Sequence, residues 1–196
     1  MYLEQHYKIK FFQYYLMKFK KFKFKKVKST NDTAIRLIRK NISEFGMVIA
    51  DSQLSGRGQY GRKWVSYRGN LFVSFFHQMN TKKISIATIT KINCFLVKKL
   101  LSRYIKKKII YKKPNDLLID KKKISGILQE TISVSDKIFL ITGIGININK
   151  NPNIKNYPTI NMSELTNKTV SKVKIENNLK QLFEKNFSRI YKSKIN

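Results

Sequence analysis

Three separated stretches carry residue types that could do chemistry. The first is SGRGQYGRKW, Ser55 to Trp64, with glycines in G-x-G-x-x-G order and Arg57, Arg62 and Lys63 among them. Glycines let a backbone approach a ligand closely, and guanidinium and ammonium groups meet phosphate or carboxylate, so the loop suits an anion. A dinucleotide fingerprint needs its third glycine to open a helix and an acidic residue about 20 positions further on. Here RKWVSYRGN and then a strand follow Gly61, and no acid lies near position 80. A kinase-type flap needs H-R-D and D-F-G motifs, and neither occurs. Taken alone, the stretch is equally a basic surface loop with nonspecific affinity for RNA.

The second stretch is KKPNDLLIDKKKISGILQE, Lys112 to Glu130. Pro114 biases Lys113 to an extended conformation, Asn115 and Asp116 present polar side chains at a turn, and the chain returns through Lys123. Strand alternation predicts Lys123, Ser125 and Ile127 on one face, with Ile124, Gly126 and Leu128 on the other. One lysine is thereby fixed at the rim of a strand. The third stretch is ITGIGININ, where alternation puts Gly143, Gly145 and Asn147 on a single face. Glycine weakens a strand interior, so this bare strip predicts close approach by a ligand or another backbone, with tight sheet packing or a barrel-like bend as the structural alternative.

The elements that must hold these residues follow from pattern. Lys23 to Lys28 reads as a strand, and Ser29 to Asp32 supplies N-caps for a helix through Ala34, Leu37 and Ile38. Met47 to Ala50 and Asn70 to Phe76 read as strands on either side of the glycine-rich loop. A helix is predicted from Ser85 to about Ile105, with Ala87, Cys94, Val97 and Leu101 on its buried stripe. Then come Ile109–Tyr111, a break at Pro114, and a hairpin of Leu117–Ile119 and Lys123–Glu130 joined by Asp120-Lys121-Lys122. Ile138–Ile148 is a further strand, and residues 172–193 form a lysine-rich helix carrying Leu179, Leu182, Phe183 and Phe187. Hairpins mixed with helices predict an α+β fold with a mixed sheet.

The 196 residues suffice for one domain with a core, and no repeat or Pro/Gly/Ser linker divides them. The formal net charge of +30 would draw nucleic acid, anionic membrane or acidic partners. Lysine arrives together with abundant isoleucine and asparagine, however, as an AT-rich coding bias would produce. The single cysteine, Cys94, argues against disulfides and a structural zinc site and for a reducing cytoplasm. No apolar run reaches membrane-spanning length.

Taken together and in order, KSTND at 28–32, SGRGQYGRKW at 55–64, KPNDLLIDKKKISGILQE from 113 and GIGININ up to 149 resemble the catalytic domain of biotin protein ligases. The related lipoate and octanoate transferases share the broader fold, and the G-R-G-x-x-G-R-x-W loop and P-N-D hairpin point to the biotin branch. The resemblance implies an α+β domain with a mixed, largely antiparallel sheet flanked by helices, similar to class II aminoacyl-tRNA synthetases. That domain would cover residues 22–196, after a poorly ordered basic extension at 1–21. Neither a helix-turn-helix domain nor the small C-terminal β-barrel is expected, and so no specific operator DNA.

The implied reaction joins biotin to ATP, with Mg²⁺, as biotinyl-5'-adenylate, and then passes biotin to a lysine of a biotin carboxyl carrier protein. Ser29, Thr30, Asn31 and Gln53 would line the biotin site, with Arg57, Gly58 and Gln59 in the loop that closes over it. Lys123 matches the active-site lysine, and Arg57 is its companion in catalysis. Gly56, Arg62, Trp64, Asn115, Asp116 and Asn147 fall on the ATP and adenylate side. No metal ligands are named, and a homodimer is an open option. Lys113 stands where the family often has an aromatic, and Gln59-Tyr60 where a second arginine is common. The alternatives are a lipoate or octanoate ligase of the same fold and an inactive homologue acting as a basic nucleic-acid-binding module.

Overall fold

A computed structural model describes residues 18–79 and 84–192. The elements run β1 Lys20–Val27, α1 Thr30–Arg39, β2 Gly46–Gln53, β3 Leu71–Met79, α2 Ile86–Leu101, β4 Ile110–Lys112, β5 Asp116–Ile119, β6 Lys122–Val134, β7 Lys137–Ile146, α3 Met162–Thr166 and α4 Lys172–Lys192. They build one seven-stranded sheet in the order β1-β2-β3-β7-β6-β5-β4. β1 lies parallel to β2, and every other neighbouring pair is antiparallel. The mixed, largely antiparallel sheet with flanking helices is the predicted one.

β1 starts three residues earlier than its composition predicts. Phe19, 2% exposed, stacks on Phe45 at 4.1 Å and meets Phe75 edge-on at 4.9 Å. Residues 18–21, expected in the basic extension, therefore belong to the folded domain. Residues 1–17 lie outside the described residues.

Each face of the sheet has its own helices. α1 buries Ala34, Leu37 and Ile38 against Val48, Phe76, Phe139 and Ile141. α2 and α4 cover the opposite face, where Leu71, Val73, Phe75, Ile144 and Ile146 join the larger core. α1 begins where expected because the Ser29 hydroxyl accepts from the Asp32 N–H at 3.4 Å, satisfying one of the free amides of the first turn. α2 ends at Leu101, four residues short of the predicted limit, although Ile105 stays buried.

On the α1 face, β7 presents Phe139, Ile141, Gly143 and Gly145 in alternation, and Asn147 follows just past its end. Bulk under the body of the helix gives way to bare backbone beyond its N-terminus, and that change of side-chain size makes room for a site.

The β5–β6 turn is tighter than predicted. Asp120 and Lys121, with φ of 49° and 62°, turn the chain alone, and Lys122 already belongs to β6. Two left-handed residues form the turn whose twist matches a hairpin. Just beyond it the ladder slips: Leu117 faces Ser125, but Leu118 faces Lys123, leaving Ile124 as the extra residue of a bulge. The predicted facing of this strand is thereby corrected. Ile124 turns into the core with Ile127, while Lys123 shares the opposite face with Gly126.

Candidate functional site

A cavity of about 690 Å³ opens beyond the N-terminus of α1. Its walls come from the Ser29–Asn31 turn, the glycine-rich loop, the β4–β5 turn, the glycine-bearing parts of β6 and β7, and the segment 152–159. Of the fourteen residues singled out from sequence, thirteen line it, namely Ser29, Thr30, Asn31, Gln53, Arg57, Gly58, Gln59, Arg62, Trp64, Asn115, Asp116, Lys123 and Asn147. Gly56 is outside the lining. Its place is structural, because a Cβ there would come 2.4 Å from the Trp64 carbonyl oxygen, and its own carbonyl accepts from the Trp64 N–H at 2.8 Å.

At one end of the cavity the lining side chains Thr30, Asn31 and Gln53 are polar and uncharged. The Gln53 side-chain oxygen accepts from the N–H and the hydroxyl of Thr30, at 2.8 and 3.0 Å, and its amide donates to Ser66 at 3.0 Å. The Ser74 hydroxyl donates to Asn31 Oδ1 at 2.5 Å and sits 2.8 Å from Thr30 Oγ1. Ser74 escaped sequence reading; the signal was a lone hydroxyl in the aromatic strand FVSFF. Together these bonds hold donors and acceptors in fixed directions, as recognition of a neutral polar head group requires.

The glycine strip is filled by side chains of the site itself. A Cβ on Gly143 would come 2.4 Å from Asn31 Oδ1, and one on Gly145 would come 2.3 Å from the Trp64 ring. Gly126 lies under both Trp64 and Lys123, with 2.9 Å to the ring and 3.0 Å to the lysine Cε from a notional Cβ. Sequence predicted close approach by a ligand or another backbone; in the structure the side chains of Asn31 and Trp64 take that space instead. Trp64 packs beneath the loop, on the sheet.

Charge gathers at the other end. Lys123 Nζ lies 2.7 Å from Asp116 Oδ1 and 5.2 Å from the centroid of the Trp64 ring. Asp116 is the single acid in the cavity lining, against Arg57, Arg62, Lys63, Lys112, Lys113 and Lys123. Arg57 is already engaged, its Nη2 donating to Asp32 Oδ1 at 2.7 Å and to Glu130 Oε2 at 2.8 Å, and Glu130 also accepts from Asn31 at 2.7 Å. The loop's first arginine thus fastens it to α1 and β6. Glu130 was the last residue of the motif, and sequence alone assigned it no role.

Two other predicted residues hold the framework. Asn115 donates from its side chain to the Ile127 carbonyl at 2.6 Å and accepts the Ile127 N–H at its own carbonyl, pinning the β4–β5 turn to β6. Asn147, 2% exposed, donates to the carbonyls of Ile160 at 3.2 Å and Lys123 at 3.4 Å. Tyr157 is the site residue that pattern reasoning missed altogether. Its hydroxyl donates to Asp116 Oδ2 at 2.5 Å, and its ring lies 5.4 Å from Lys123 Nζ. Burial, and then the Asp116 carboxylate beside it, push the phenol well above its ordinary range, so it stays protonated.

Comparison with known proteins bears on the same residues. A model of the biotin/lipoate A/B protein ligase family matches residues 23–149, which hold every predicted site residue. The chain belongs to this family. The bifunctional ligase/repressor BirA of Bacillus subtilis is 35% identical over 127 residues, 64% of this chain and 39% of that protein. The biotin--[acetyl-CoA-carboxylase] ligase of Paracoccus denitrificans is 28% identical over 123 residues, 61% of this chain and 51% of that protein. The chain thus spans about two fifths to half the length of these relatives. Among solved structures, the biotin protein ligase of Aquifex aeolicus in complex with biotin and ATP superposes with a TM-score of 0.73 at 29% identity, covering 89% of this chain and 72% of that one.

Proposed function

We propose that the protein is a biotin ligase, which activates biotin as biotinyl-5'-adenylate and transfers it to a lysine of a biotin carrier protein. The observation that carries the reading is the cavity's division between uncharged hydrogen-bonding side chains, Thr30, Asn31 and Gln53, at one end and the Lys123 ammonium at the other. Biotin has this division too, with a neutral ureido ring at one end and a carboxylate at the other.

In the first step a carboxylate oxygen attacks the α-phosphorus of ATP. A carbon–oxygen–phosphorus anhydride forms, the bond from the α-phosphorus to the bridging oxygen breaks, and pyrophosphate leaves with the electron pair. Both reactants are anionic, so cations held at their meeting point lower the barrier. Lys123, on a bulged strand between Trp64 and Asp116, supplies one such charge, and Arg62, Lys63, Lys112 and Lys113 border the same space. In the second step a carrier lysine amine attacks the acyl carbon, an amide forms, and AMP and a proton leave.

Among the described residues no three His, Cys, Asp or Glu side chains come together as a metal cage. A Mg²⁺ would arrive on the triphosphate, since the one carboxylate in the lining, Asp116, already faces Lys123 and Tyr157. That ion would neutralise phosphate charge.

The test is to incubate the chain with ATP, Mg²⁺ and either biotin or lipoate, and to detect the acyl-adenylate by mass spectrometry. Biotinyl-adenylate is expected, reduced roughly 10²-fold or more in Lys123→Ala. Lipoyl-adenylate alone would move the chain to the lipoate branch, and no adenylate from either acid would overturn the enzyme reading.

A further inference from the structure

We propose that Tyr157 is a positioning residue for Lys123, acting through Asp116, an inference that rests on the ligase reading of the site. Three contacts form a chain: the Tyr157 hydroxyl on Asp116 Oδ2, Asp116 Oδ1 at 2.7 Å from Lys123 Nζ, and the Lys123 ammonium 5.4 Å from the Tyr157 ring centroid. A second ammonium, of Lys112, lies 4.9 Å from the same ring. The main chain follows the same plan. The Lys123 N–H donates to the Pro158 carbonyl at 2.8 Å, and the Ile160 N–H donates to the Lys123 carbonyl at 3.0 Å. The segment around Tyr157 therefore fixes both the backbone and the side chain of one lysine.

The physical need arises from Asp116, a carboxylate only 8% exposed. In the structure its Oδ1 accepts no hydrogen bond and is balanced by the charge of Lys123 alone, 2.7 Å away. When Lys123 turns to an incoming carboxylate and phosphate, that oxygen loses its cation, and a buried charge left without partners is strongly disfavoured. The Tyr157 hydroxyl donates to the other oxygen throughout, so the carboxylate keeps a partner while the lysine is away. Asp116 becomes a resting place that Lys123 can leave and regain, and the donating phenol hydroxyl keeps it so.

The experiment separates this role from packing. Tyr157→Phe keeps the ring and deletes only the hydroxyl. For biotinyl-adenylate formation, kcat is expected to fall about tenfold with KM for biotin little changed, the scale of one hydrogen bond to a charged group. An unchanged kcat, or a loss carried wholly by KM, would overturn the proposal.

A second readout needs no catalysis. Trp64 is the single tryptophan, and the Lys123 ammonium lies 5.2 Å from its ring, so its emission reports where that charge sits. Tyr157→Phe should shift the emission with the same sign as Lys123→Met, and adding it to Lys123→Met should cause no further shift. A Tyr157→Phe spectrum that superimposes on the parent, or a shift that persists without Lys123, counts against the proposal. Should the parent protein form no adenylate, the ligase reading fails, and emission alone decides the positioning role.

Discussion

Gly145 controls more of the site than its size implies, because the Trp64 ring occupies the space where its side chain would be. A Cβ there would lie 2.3 Å from the ring, so Gly145→Ala forces the indole off the sheet. We expect a loss of about 1–3 kcal/mol in stability, the usual cost of overpacking, read as a lower urea midpoint together with altered Trp64 emission. At this scale sequence is uneven evidence. Lys123 was selectable through its register with P-N-D and S-G-I-L, although three consecutive lysines make composition useless there. Its facing was not legible, since a bulge depends on which partner residue each strand position meets. Tyr157 was invisible for a related reason: it lies beyond the matched motifs and reaches Asp116 through a fold-level contact 41 positions away.

The glycine-rich loop is the element whose behaviour the structure specifies best. Its ends are clipped by the Gly58 N–H to Arg62 carbonyl bond at 2.6 Å and the Trp64 to Gly56 bond, and Gly61 turns with φ of 72°. Outside these, Arg57 ties it to Asp32 and Glu130. Glu130→Gln removes one anchor and loosens Asn31 as well. Cleavage by trypsin after Arg57, Arg62 and Lys63 is expected to accelerate several-fold, while global stability changes by less than about 1 kcal/mol, since these pairs are partly exposed. Unaltered cleavage would show that the clips alone set the loop. The elements were largely readable, because period and caps are local properties. Their ends were less so: β1 begins at Lys20 because Phe19 finds Phe45 and Phe75, partners that no window along the chain contains.

At the scale of the molecule, eight of the ten acidic side chains among the described residues take part in ion pairs, so the excess cations face few opposite charges. Composition shows this excess but not its placement, and four cations outside those pairs, Arg62, Lys63, Lys112 and Lys113, border the cavity beside the paired Arg57 and Lys123. The pH response has a different origin. His77, in β3, is held neutral by burial, its pKa lowered from 6.5 to about 4. An unfolded chain takes up a proton below pH 6.5, whereas the folded one does so only near pH 4. Stability therefore falls as pH drops through that window, by about 2 kcal/mol between pH 7 and pH 5. The urea midpoint measured across this range should show the slope, and His77→Leu should flatten it.

The bulge at Ile124 has a consequence for anyone moving this chemistry elsewhere. Neighbours along the chain, Lys123 and Ile124 serve opposite sides of the sheet, one the cavity and one the core. A hairpin transplanted with regular pairing would bury the ammonium in oil and leave a greasy methyl group at the ligand's door. What a graft must keep is the slip in pairing, since trimming the surplus residue would leave Lys123 in step with Gly126 but take the Ile124 side chain out of the core.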